Sequence, residues 1–188
     1  MDFFNKSEQS ILLNAENIIV GFSGGVDSTL VLAATNQFLE AHNKKNCLTA
    51  LHVNHQTQSD SSSWQIHCEK FCKEHNINFS CKSVEIKESG QGYEAAARSA
   101  RLDIFNAFDE ATVIILGHHL DDQVETVFFR VLRGTGLKGL TGMQRHLKVK
   151  DKDFIRPLLH LTKEEIFKQA TEYKLSFIED QSNTDNAC

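Results

Sequence analysis

At 188 residues the chain has the length of one domain, and it can bury a core without help from disulfides or a structural metal. A composition of 40% hydrophobic and 24% charged residues, with 10 glycines and one proline, excludes a disordered or linker-like chain. The net charge of −5 excludes a broad basic footprint, so any contact with nucleic acid has to be local.

No apolar run approaches the roughly 18 residues of a membrane span, and the opening MDFFNKSEQS lacks the layout of a secretion signal. The cysteines, Cys47, Cys68, Cys72, Cys81 and Cys188, are odd in number, which points to reduced thiols and a cytoplasmic location. Cys68 and Cys72 would share a helix face and read as core, and without a C-x-x-C a redox or zinc-ribbon role has no support.

In chain order, Asn17–Phe22 reads as a buried strand and Ser28–His42 as a helix. Cys47–Val53 is a second strand, Asp60–His75 a helix, and Asn78–Ile86 a third strand with a period near two. An Ala- and Arg-rich helix over Gly92–Phe108 precedes an apolar strand, Thr112–Gly117, and a helix, Asp121–Arg133. After a glycine-rich loop, Phe154–Leu159 is a short extended stretch, and Thr162–Tyr173 is a helix opened by a Thr162/Glu165 capping box. Strands alternating with helices imply an α/β, doubly wound, mainly parallel sheet with helices on both faces. Ligands of such sheets sit beyond the carboxyl ends of the strands. The polar clusters Ser23–Ser28, His52–His55 and His118–Asp122 each follow a strand, so they are expected at one edge.

The first cluster reads Ser23-Gly24-Gly25-Val26-Asp27-Ser28, between strand and helix. Glycines let backbone amides approach phosphate oxygens, and the helix start adds unpaired N–H groups and partial positive charge. Ser23 and Ser28 add hydroxyl donors. Asp27 repels phosphate, and a Mg2+ ion between the two would resolve the repulsion. No lysine completes a Walker A loop. Gly134-Thr-Gly136-Leu-Lys-Gly139 matches G-x-G-x-x-G but follows a helix, outside the strand–turn–helix setting of a dinucleotide site.

Asp121, Asp122 and Glu125 lie at a helix start, where acids complement the dipole. Asp122 and Glu125 are three apart on one face; two carboxylates there can bind an ammonium, and one can accept its proton. His118 and His119 precede them, but the His-x3-His and His-Glu-x2-His spacings of zinc sites are absent.

SGGVDS resembles the pyrophosphate loop of the N-type ATP pyrophosphatases, which cleave ATP between its α and β phosphates and adenylate a substrate. The resemblance implies an adenine nucleotide alpha hydrolase-like, Rossmann-like fold with ATP and Mg2+ as cofactors. Five further stretches follow in order: HVNH (His52–His55), EAAARSAR (Glu94–Arg101), GHHLDDQVET running into RGTGLKGLTGM (Gly117–Met143), IRPLLHLTKEEI (Ile155–Ile166) and FIEDQSN (Phe177–Asn183). Together they resemble the N-terminal catalytic domain of the tRNA(Ile)-lysidine synthetases over nearly the whole chain. Two departures are visible: Gln181 stands where the family commonly has proline, and QTQSDSSS lacks the family's basic residues.

The resemblance implies one catalytic domain over 1–188, a fragment lacking the family's C-terminal tRNA-binding domains. It also implies that O2 of the wobble cytidine of tRNA(Ile), with its CAU anticodon, attacks the α-phosphorus of ATP. Free L-lysine then displaces AMP at C2, giving lysidine. In that reading the backbone and hydroxyls of Ser23, Gly24, Gly25, Val26 and Ser28 hold the phosphates, and Asp27 holds Mg2+. His52 and Asn54 close the adenosine side, mostly through backbone. Arg101 contacts phosphate or intermediate, and His118 or His119 orients the cytidine. Asp121, Asp122 and Glu125 receive lysine, and Arg133 faces tRNA. A local patch of Arg130, Arg133, Lys138 and Arg145 would position one anticodon loop without gripping a whole tRNA. Oligomeric state stays open, a homodimer included. Two alternatives remain: a tRNA 2-thiolation enzyme, which would use paired cysteines, and a nucleotide-binding module without chemistry, which would need no second charged site.

Overall fold

Ile18, Ile19 and Val20 are all buried, which requires a strand covered on both faces. The computed structural model describes residues 1, 3–54, 61–84, 100, 103–108, 112–134 and 141–179, and it places this run, β1 (Asn17–Gly21), inside a six-stranded sheet. The other strands are β2 (Leu48–Asn54), β3 (Asn78–Ser83), β4 (Thr112–Ile115), β5 (His146–Val149) and β6 (Lys152–Ile155). The helices are α1 (Lys6–Asn14), α2 (Val26–Ala41), α3 (Ser61–Glu74), α4 (Leu120–Leu132) and α5 (Lys163–Glu172).

The strand order is β3-β2-β1-β4-β6-β5, parallel throughout except for the β5–β6 pair. The chain therefore winds outward from β1 through β2 to β3, then returns to the other side of β1 to lay down β4. This reversal opens a crevice beyond the carboxyl ends of β1 and β4, the usual ligand position in such sheets.

Alternation along the strands divides the core. Ile18 and Val20 face a large cluster with Leu12 of α1, Leu30 and Val31 of α2, Phe71 and Cys72 of α3, and Ile166 of α5. Ile19, Leu51, Ile114 and Phe154 face the opposite side, against Ile104, Phe105 and Phe108. Burial of each such side chain contributes about 1.5–3 kcal/mol. The doubly wound expectation is thus met.

Two elements escape the sequence reading. The helix α1 is opened by a capping box in which Asn5 accepts from Glu8 N–H (3.0 Å) and Glu8 accepts from Asn5 N–H (2.9 Å). The strand β5 is exposed at every position and pairs antiparallel with β6 through a turn where Lys150 has φ 54°. The extended stretch expected over Phe154–Leu159 begins earlier, at Lys152, and gives way to turns after Ile155. The third strand ends at Ser83 within the described residues, and most of the helix expected over Gly92–Phe108 lies outside them.

The basic patch also needs correction. Arg145 donates to both oxygens of the buried Glu8, at 2.7 and 3.0 Å, and to Pro157 O at 2.9 Å. Its charge is committed to tying α1 to the sheet edge, so it is not a free cation for RNA. Lys138 lies outside the described residues.

Candidate active site at the switch point of the sheet

The loop leaving β1 is closed by its own serines. Ser23 N–H donates to Ser28 Oγ at 3.2 Å, Ser28 Oγ donates to Gly25 O at 3.0 Å, and the two hydroxyls are 3.1 Å apart. Gly24 has φ 90°, a conformation that side chains rarely adopt. Gly25 is the N-cap of α2 and supplies no side-chain cap, so the first amides of the helix are left for a ligand. Behind the loop, a His52 ring nitrogen, Nδ1, donates to Phe22 O at 2.9 Å. Burial holds the His52 pKa below its ordinary value, so the ring is neutral near pH 7 and braces the loop from the core side. Asn54, at the end of β2, donates to Gln65 Oε1 at 3.3 Å.

Across the crevice, Gly117 brings the exit of β4 against the first turn of α2. A Cβ there would lie 3.1 Å from Asp27 C and Ser28 N, both backbone atoms. Gly117→Ala must therefore displace the loop. It is expected to cost about 1–3 kcal/mol, the range for overpacking, and to slow ATP–pyrophosphate exchange at least about tenfold. Thermal unfolding and exchange measured together check this; unchanged exchange would contradict it.

The close approach sets His119 beside Asp27. Its Nε2 lies 3.8 Å from Asp27 Oδ1 and 3.5 Å from Asp122 Oδ2, and its Nδ1 lies 3.3 Å from Asp121 Oδ2. Asp122 reaches back to accept from His119 N–H at 2.8 Å, and Asp121 accepts from Lys163 N–H, the first residue of α5, at 2.8 Å. The starts of α2, α4 and α5 thus converge, and three partial positive charges gather at one edge. Asp121 and Asp122 offset part of that field, while the glycine cap of α2 leaves its share for an incoming anion.

Asp27 is the electrostatic oddity. Burial is the first cause that raises its pKa above the ordinary carboxylate value, with nearby Asp122 adding to the rise and His119 opposing it. Its Oδ1 is buried with no hydrogen-bond partner among the described residues. A desolvated carboxylate oxygen beside a phosphate cradle fits a bound cation. Among the described residues no three His, Cys, Asp or Glu side chains form a metal site of their own. A cation here would have to complete its shell with ligand phosphates and water.

The expected site residues are partly brought together. Asp27, His119, Asp121 and Asp122 meet; His118 is adjacent in the same loop. Glu125 is exposed one turn along α4. Arg133 caps the far end of α4, roughly 18 Å along the axis from Asp121, and is not part of this cluster. Arg101 lies outside the described residues, as does Asp180.

Sequence reasoning from spacing missed one wall of the loop. Ile178 N–H donates to Gly24 O at 2.9 Å, and Gly25 and Ile178 form an isolated parallel bridge. Ile178, at the start of the FIEDQSN stretch, therefore lines the loop itself. Cys68 closes the other side, where a Cβ on Gly24 would lie 3.0 Å from its Sγ.

A family model described as a PP-loop domain matches residues 2–188. The chain belongs to the PP-loop family. Curated relatives of this PP-loop chain include the tRNA(Ile)-lysidine synthases of Histophilus somni (39% identical over 170 residues, 90% of this chain and 39% of that protein). That of Legionella pneumophila strain Paris is 40% identical over 174 residues, again 90% of this chain and 39% of the relative. The PP-loop chain thus spans about two fifths of the length of these relatives. Among solved structures, the U34-tRNA thiolase NcsA of Methanococcus maripaludis, with its 4Fe–4S cluster, aligns at TM-score 0.66 and 19% identity, covering 97% of this chain and 67% of NcsA. The glutamine-dependent NAD+ synthetase of Acinetobacter baumannii aligns at 0.56 and 14%, covering 88% and 30%. These two share the PP-loop fold with this chain.

Proposed function

We propose that this chain carries the catalytic domain of an ATP-dependent ligase that joins lysine to C2 of the wobble cytidine of tRNA(Ile), forming lysidine. The observation that carries the reading is the meeting of a phosphate loop with a second, acidic cluster through His119, which lies 3.8 Å from Asp27 on one side and 3.3 and 3.5 Å from Asp121 and Asp122 on the other. A nucleotide sensor has no use for that second cluster. The lysidine synthases that match over 90% of the chain support the choice of substrate.

In this reading the amides of Gly24 and Gly25 and the hydroxyls of Ser23 and Ser28 receive the negative charge that builds on the phosphates. Cytidine O2 bonds to the α-phosphorus as pyrophosphate leaves. Asp27 would hold Mg2+, which neutralises phosphate charge when bound. Asp122 and Glu125 then hold the lysine ammonium, and a carboxylate takes its proton. The freed amine bonds to C2 and AMP leaves. His118 or His119 orients the base, and Arg101 and Arg133 contact the intermediate and tRNA. In this reading the enzyme meets its tRNA in the cytoplasm, a location consistent with the free thiols of Cys47, Cys68, Cys72 and Cys81.

The thiolation alternative is disfavoured by the thiols. Cys68 and Cys72 are buried, and burial pushes both up to about 12, so neither is a thiolate nucleophile near pH 7. The test is pyrophosphate release on mixing the protein with ATP, Mg2+, lysine and tRNA(Ile). We expect release to require the tRNA and AMP to accumulate only with lysine. Turnover that ignores lysine but needs a sulfur donor would support thiolation instead.

A further inference from the structure

Three helices start at this edge of the sheet, and their first amides are not equally free. Those of α2 are left open by its glycine cap, whereas those of α5 are taken. Asp121 accepts from Lys163 N–H at 2.8 Å, and Thr162 Oγ1 accepts from Glu165 N–H at 3.2 Å. A further bond, from Leu120 N–H to Leu161 O at 2.8 Å, joins the start of α4 to the same turn. The start of α4 is thus clipped at two points to the residues that open α5. This holds Lys163 where the acidic cluster meets the phosphate loop.

Lys163 runs against the electrostatics of its own helix. A cation in the first turn opposes the helix dipole, and here the starts of α2 and α4 add to the same positive field. The residue is exposed, and no ion pair holds its ammonium among the described residues. Its charge is nevertheless felt at the phosphate loop. Burial is the first cause that raises the Asp27 pKa, and Lys163 is one of the charges that oppose the rise. The other cations that flank β5 and β6 at this edge have partners. Arg145 holds Glu8 at 2.7 Å, and Arg156 Nη1 donates to Gln144 O at 2.9 Å.

We infer that Lys163 is a nucleotide-binding residue whose ammonium receives the phosphate chain of ATP together with the open amides of α2. A lysine suits this role, because a compact charge on a flexible stem can follow phosphates that change position as pyrophosphate leaves. The amides of α5 are already bonded, so this helix start offers the anion a side chain rather than backbone. The charge acts on the carboxylate beside the phosphate cradle, which favours the nucleotide over an RNA phosphate as its partner. The inference rests on the reading of the loop as an ATP site, and not on the choice of lysine and tRNA as substrates.

The experiment titrates MgATP by calorimetry into wild type, Lys163→Gln, Lys163→Arg and Lys168→Gln, without and with tRNA(Ile). Glutamine keeps the backbone N–H that donates to Asp121 and has a similar helix propensity, so the clip survives. Lys168 is exposed farther along the same helix and controls for the loss of one positive charge. We expect the Kd for MgATP to rise about tenfold in Lys163→Gln, the scale of one lost hydrogen bond to a charged group. It should stay within about threefold of wild type in Lys163→Arg and Lys168→Gln. Unchanged affinity in Lys163→Gln would overturn the inference, as would an equal loss in Lys163→Arg or Lys168→Gln. A raised KM for tRNA with unchanged MgATP affinity would assign the cation to RNA and overturn it too. Wild type that takes no MgATP in either state would overturn the ATP site and the inference together. Wild type that binds MgATP but forms no lysine- and tRNA-dependent product would overturn the lysidine reading alone, and the titration would still decide Lys163.

Discussion

Asp27→Asn will leave the protein folded, raise its unfolding temperature near neutral pH, and cut ATP–pyrophosphate exchange by roughly a hundredfold to a thousandfold, the scale of losing one preorganised charge-stabilising group. The two effects have one cause. Burial raises the carboxyl's pKa in the folded protein above that in the unfolded chain. The stabilising contribution of such an acid is complete below the unfolded pKa and is lost as pH rises through the folded pKa. At neutral pH the ionised Asp27 therefore opposes folding, and an isosteric neutral amide removes the opposition. The same amide offers no charge to the cation that we propose bridges the loop and the phosphates. Calorimetry without ligand and exchange with Mg2+ measure both. Wild-type exchange, or a lower unfolding temperature, would show that Asp27 is an ordinary helix-start acid.

Glu125→Gln will raise the KM for lysine far more than that for ATP. Of the acids on α4, Asp121 and Asp122 already accept backbone amides, from Lys163 and His119, at 2.8 Å each. Glu125 is exposed on the next turn and is the acid with most freedom to close over an ammonium. Removing one partner of a charge pair that becomes buried on binding costs about 2–4 kcal/mol, or roughly 30- to 1000-fold in lysine kinetics. Initial rates with lysine and ATP varied in turn separate the outcomes. A collapse of ATP binding with unchanged lysine kinetics would assign the acidic cluster to the metal–nucleotide site.

What could be read from residue order follows the physics of each element. The central strands are legible because burial on both faces demands unbroken apolar runs, as in Ile18–Val20 and Val113–Ile115. The capping box at Thr162 and Glu165 is local chemistry, and it forms as expected. Asn5 and Glu8 carry a similar local signal and form the same kind of box at the start of α1. The strand β5 was illegible for a sound reason: all four residues are exposed, so no burial pattern marks them. In the site, the loop and the acids carry strong local signals. Their partners do not. Ile178 reaches Gly24 through backbone, Gly117 matters only through the space it leaves, and Arg145 could not be told from an RNA-facing cation until Glu8 was seen to hold it. These are long-range contacts, which spacing within one segment does not encode.

We propose that one edge of this sheet activates a cytidine with ATP and passes it to lysine. This proposal is tested most directly by incubating the protein with ATP, Mg2+, isotopically labelled lysine and tRNA(Ile) bearing a CAU anticodon, then digesting the tRNA to nucleosides for mass spectrometry. The expected product is a labelled cytidine derivative whose mass has gained one lysine less water, formed in step with AMP and pyrophosphate and absent with the Asp27→Asn protein. Unlabelled tRNA alongside ATP cleavage, or label in a nucleoside other than cytidine, would contradict it.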